Sequence, residues 1–175
     1  MTPEQYAALE PNKVLLTMRI IAGALMAGVV SFGGVVAMTV INGQPQQGQQ
    51  VAGNANPILY IGIVFATLAV IARFVVPSLI AKHMVAGIVK LANSGMATGS
   101  KELFGRLLTV AQTKMIIEDA LLEGACFCNL IAVMITRSMI SVGLVAGLFV
   151  LMALNFPTMG KLAGFIEEQK DLISM

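Results

Sequence analysis

The chain has 175 residues, of which 57% are hydrophobic and 11% charged, and its mean hydropathy is +0.86. A soluble domain of this length needs far more charge to cover its surface. A net charge of +2, with no polar face on which cations cluster, excludes a nucleic-acid binder, and the length leaves no room for a folded soluble domain beside a set of membrane spans.

In chain order, residues 1–13 carry Glu4, Glu10 and Lys13 and lead into an apolar run over residues 14–41. That run is about twice the length of a secretory h-region and reads as an uncleaved anchor. Residues 20–41 hold no charge, and these 22 helical residues, at about 1.5 Å each, cross a hydrocarbon core of roughly 30 Å. Residues 42–56 are uncharged and rich in Gln, Gly and Asn, the composition of a flexible external loop. The second span is predicted over residues 57–80, with Pro57 at its start and Pro77 expected to kink its inner end.

Residues 81–117 form the central connection. Met84, Val85, Ile88, Val89 and Leu91 alternate with Lys82, His83 and Lys90, and after the SGMATGS stretch Leu103, Phe104, Leu107, Leu108 and Ala111 recur near helical spacing. Ser100 suits an N-cap, with Glu102 in the first turn. These pieces read either as amphipathic helices on the cytoplasmic surface, their cations meeting anionic headgroups, or as continuations of the spans on either side. The third and fourth spans are predicted over residues 118–136 and 139–156. The fold class is therefore all-α: a single integral membrane bundle of four transmembrane helices, with amphipathic cytoplasmic helical segments between the second and third.

Charge gives the orientation. Lys13, Arg19, Lys82, Lys90, Lys101, Arg106, Lys114, Lys161 and Lys170 fall on one side and only Arg137 on the other, leaving aside Arg73 within a span. The positive-inside rule puts both termini and the central connection in the cytoplasm, so the expected location is the plasma (inner) membrane.

Three intramembrane charges are candidates for a site. The third span has too few uncharged residues to cross unaided, so Asp119 and Glu123, four apart on one helical face, should point into the bundle. Arg73 lies at a depth matching Glu123, counted from the outer ends of their spans. A lone charge in the bilayer costs about 3 kcal/mol or more, so Arg73 is expected to pair with Glu123 or Asp119; the alternative is that it snorkels to the headgroups. Small residues supply a second signal: Gly23, Ala27, Ser31 and Gly34 line one face of the first span, and Gly143 and Gly147 form a G-x-x-x-G in the fourth. Close approach at these faces is expected within the chain or between two copies. Asn129 and Asn155 are expected to hydrogen-bond between helices or to mark a span end.

The stretch EDALLEGACFCNLIAVMI loosely resembles the carboxylate-bearing helix of rotary-ATPase proteolipids, which would imply ion binding at Glu123. It departs from that family in placing Glu123 near the cytoplasmic end, and in an orientation opposite to the family's usual one, so no membership follows. Cys126 and Cys128 are too close in sequence to bridge on a helix, His83 is the sole histidine, and no phosphate loop, dinucleotide fingerprint or nucleophile elbow is present. No cofactor, metal or catalytic residue is expected. The expectation is a non-enzymatic accessory or assembly component that binds the lipid bilayer and membrane-protein partners or its own copies, and no nucleic acid. The competing expectation is a small transporter or ion-coupling subunit built on Glu123 with Arg73.

Overall fold

The structure, a computed structural model, describes residues 2, 4, 5, 8–42, 57–94 and 99–173. Most of the expected Gln-rich loop and part of the SGMATGS stretch lie outside the described residues. The rest is all-helical: α1 Pro11–Asn42, α2 Pro57–Asn93, α3 Ser100–Thr136, α4 Met139–Leu154 and α5 Met159–Ile173. Helices α1, α2 and α3 are each long and apolar enough to cross a membrane, and a fourth crossing is available if α4 and α5, separated by a short break, count as one span.

The two readings of the central connection are resolved in favour of continuation. Among the described residues no separate surface helix forms there: α2 and α3 have 37 residues each, about 55 Å of helix, well beyond the thickness of the hydrocarbon. The reason lies in the sequence. Ala81, Val85 and Ile88 keep an apolar line at i, i+4 and i+7 past the predicted end of the second span, and Leu107, Ala111 and Met115 keep one at i, i+4 and i+8 before the third. Pro57 opens α2 as expected, and Pro77 is buried inside the uninterrupted helix, where it leaves the Arg73 carbonyl without its helical donor. Ser138 caps α4 by accepting from the Ile140 N–H at 3.2 Å, and Asn155 is its C-cap.

The chain divides into two compact units, the first Met1–Gly23, Arg73–Glu118 and Phe156–Met175, the second Ala24–Ala72 and Asp119–Asn155. Each has its own core. In the first, Leu15 and Met18 of α1, Val85 and Ile88 of α2, Leu107, Leu108 and Met115 of α3, and Leu162 and Ile166 of α5 are buried together. Lys114 lies over the Phe165 ring at 5.4 Å, and Arg106 holds Glu102 by two hydrogen bonds of 3.0 and 2.8 Å. In the second, Val29 and Val36, Ala66 and Ala69, Leu122, Ala125, Cys126 and Leu130, and Leu148 and Met152 form the core, with Phe32 edge-on to Phe127 at 5.4 Å.

The division follows the charges. Of eleven basic and nine acidic residues, only Asp119, Glu123 and Arg137 fall in the second unit. That unit instead turns large apolar side chains outward, among them Val30, Met38, Ile61, Leu68, Ile131, Ile140 and Val150. This inside-out surface suits hydrocarbon and not water. Two of its exposed hydroxyls are satisfied within their own helices, Thr39 donating to the Val35 carbonyl and Thr67 to that of Ile63, both at 2.9 Å.

Candidate functional site

Three polar side chains of α3 in the second unit, Asp119, Glu123 and Asn129, each meet a different neighbouring helix. Asp119 is buried and accepts a hydrogen bond from Asn155 Nδ2 at the end of α4, at 3.1 Å. One turn further along, Glu123 faces α1 at Gly28, and a Cβ built on that glycine would come within 3.2 Å of Glu123 Oε1. Asn129, wholly buried, faces α2: its Nδ2 donates to the Gly62 carbonyl at 3.2 Å and to its own helix at Ala125, at 2.9 Å. The expected interhelical hydrogen bonds of Asn129 and Asn155 are thus present, and Asn155 also marks the end of its helix.

Gly62 and Gly28 are the notches that make these contacts. A Cβ on Gly62 would lie 2.9 Å from Asn129 Oδ1 and 3.7 Å from the Ala132 Cβ. Removing the side chain on α2 therefore lets a buried amide reach a backbone carbonyl across the helix interface. Asn129 Oδ1 and Ser141 Oγ are buried without a hydrogen-bond partner among the described residues.

The small-residue faces singled out in the sequence lie elsewhere. A Cβ on Gly23, Gly34, Gly143 or Gly147 would meet nothing within 4 Å, and Ala27 and Ser31 are exposed. Among the described residues no other helix comes within 4 Å of a Cβ at these glycines. Gly28 and Gly33, between and beside the expected positions on α1, are the ones in contact, with α3 at Glu123 and Leu130. Sequence reasoning missed Gly28 and Gly62, which form only single small-x-x-x-small pairs with Ala24 and Ala66 and not a longer row.

Arg73 belongs to the first unit, its guanidinium 5.5 Å from the centre of the Phe74 ring; Glu123 belongs to the second. Cys126 is buried and Cys128 exposed, as opposite faces of one helix require. Among the described residues no group of three or more His, Cys, Asp or Glu side chains comes together.

No protein-family model, curated protein or solved structure matches this chain. The functional reading rests on the geometry alone.

Proposed function

We propose that this chain is a multi-pass protein of the inner membrane, with both termini cytoplasmic, that acts as an accessory or assembly component by binding other membrane components. The observation that carries the proposal is the outward face of the second unit. Gly143 and Gly147 on α4, and Ala27, Ser31 and Gly34 on α1, are exposed in a unit that also turns many large apolar side chains outward. A lipid-facing helix gains nothing from a glycine row, whereas a partner helix gains close backbone approach.

A photo-crosslinking residue at Ala146 or Ala27, followed by purification from native membranes, tests this reading. Discrete protein adducts at these positions, absent from a position such as Leu68, support it; lipid adducts alone at all three sink it. Orientation is tested by cysteine labelling in a background lacking Cys126 and Cys128. Met139→Cys should react with an impermeant reagent from outside, and Lys101→Cys should not.

The ion-coupling reading is kept for one observation, the burial of the Asp119 carboxyl in a unit with few charges. Proteoliposomes that show a cation flux abolished by Glu123→Gln would bring it forward.

A further inference from the structure

The break between α4 and α5 gathers two cations. Arg19, on α1, donates through Nε to the Pro157 carbonyl at 3.3 Å, and Lys161, on α5, donates to the neighbouring Phe156 carbonyl at 3.4 Å. All of these residues belong to the first unit. Arg19 engages only one of its five N–H donors in this way. The carboxylate of Glu10, just before α1, pairs with Lys13, those of Glu102 and Glu118 pair with Arg106 and Lys114 of their own helix, and Arg19 forms no ion pair among the described residues.

The surroundings of this pair are apolar. Leu16, one turn before Arg19, and Ile20, next to it in sequence on α1, are 59% and 63% exposed, and Phe156 and Met159 are exposed beside the break. Arg19 also stands immediately before the uncharged run that begins at Ile20, which is where a span leaves the hydrocarbon. A soluble anion has no use for exposed apolar flanks, and an acidic protein segment has no reason to lie at that depth. A ligand with a phosphate at the headgroup level and hydrocarbon beneath it uses both.

We propose that Arg19 and Lys161 together hold the phosphate of an anionic phospholipid, with its acyl chains lying over Leu16, Ile20, Phe156 and Met159. The site thereby specifies one lipid partner for a chain read as binding membrane components, and it rests on that reading. The guanidinium offers its remaining N–H groups to the phosphate oxygens while Nε stays on the Pro157 carbonyl, so a bound lipid would tie α1 to the start of α5.

The test uses the full-length protein in mixed micelles containing palmitoyl-oleoyl phosphatidylglycerol or palmitoyl-oleoyl phosphatidylcholine, with bound lipid counted by native mass spectrometry. The wild-type protein should retain the glycerol lipid in preference to the choline lipid. Each of Arg19→Gln and Lys161→Gln should lower that occupancy about five-fold, while Arg19→Lys keeps most of it and Lys90→Gln all of it. Should Arg19→Gln fail to fold, the exposed Lys161 still reads the site. Equal retention of both lipids, unchanged occupancy in Lys161→Gln, or displacement of the lipid by millimolar inorganic phosphate would each overturn the proposal. Alkaline carbonate separates the two levels of the argument. Release of the wild-type protein from membranes would remove the membrane reading and this site with it, whereas a protein that stays in the membrane with lipid occupancy indifferent to Arg19 and Lys161 removes the site alone.

Discussion

Replacing Gly62 by Ala tests whether the α2–α3 contact is the notch described above. The new methyl would sit 2.9 Å from Asn129 Oδ1, closer than real Cβ contacts come, and 3.6 Å from its Cγ. Asn129 cannot swing away freely, because it is wholly buried and its Nδ2 is held by both the Gly62 and Ala125 carbonyls. Overpacking of this kind costs about 1–3 kcal/mol. Loss of the interhelical bond adds about 0.6 kcal/mol by membrane-protein averages. Against this, Ala in place of Gly inside a helix gains about 0.5–1 kcal/mol. The net expectation is a loss of about 0.5–3 kcal/mol, read by equilibrium unfolding in mixed micelles with helical circular dichroism as the signal. In the same assay Asn129→Ala removes the amide that the methyl strikes, together with an oxygen that is buried without a donor, so the second substitution should cost less in the Gly62→Ala background than alone. A Gly62→Ala protein as stable as wild type, or a cycle additive within about 0.5 kcal/mol, would show that the glycine is there for some other reason.

The other expectations follow from the same contacts. Gly147→Ala has open space around its new methyl and should be neutral or stabilising by up to about 1 kcal/mol in the isolated protein; a loss comparable to that of Gly62→Ala would mean that α4 packs differently. Asp119→Ala and Asn155→Ala should be coupled by about 0.5–2 kcal/mol in a double-mutant cycle, and independence would remove the hydrogen bond from the account. Leu108→Ala, at a wholly buried position in the first unit, should cost about 2–5 kcal/mol in the same unfolding assay, and a cost under 1 kcal/mol would contradict the packing there. The matched depth of Arg73 and Glu123 predicts that Arg73→Gln recovers much of the stability lost in Glu123→Gln, and an additive cycle would leave snorkelling as the account of Arg73.

Much of the architecture was legible because a few residues act locally. Pro57 starts α2 through its fixed φ and missing N–H, and the uncharged run from Ile20 to Ile41 fixes a span by length alone. The extent of α2 and α3 was not legible for an equally physical reason. An amphipathic helix lying on a headgroup layer and one packed against its neighbours share the period of 3.6, and only the packing of Val85, Ile88, Leu107 and Leu108 in one core distinguishes them.

The polar residues of α3 show where one-dimensional reasoning stops. Counting residues from a span end gives depth, but it did not point to Asn155 as the partner of Asp119. Depth does not give direction around the helix axis. Asp119 and Glu123 share a face at i and i+4, yet the first reaches α4 and the second α1. A face that is about 100° wide can border two neighbours in a bundle, and which of them receives a given side chain depends on where those neighbours offer a glycine or an amide. Glycine spacing suffers from the same ambiguity. A row at every fourth position says that close approach is possible along that face, but Gly143 and Gly147 lie open while the isolated Gly62 is filled to 2.9 Å by Asn129. A single glycine opposite a buried polar side chain is therefore the more informative pairing within this chain, since the side chain has a hydrogen bond to lose and the glycine row has only surface to offer. By the same reasoning, the open rows on α1 and α4 are the places to look for contacts that the chain does not make with itself.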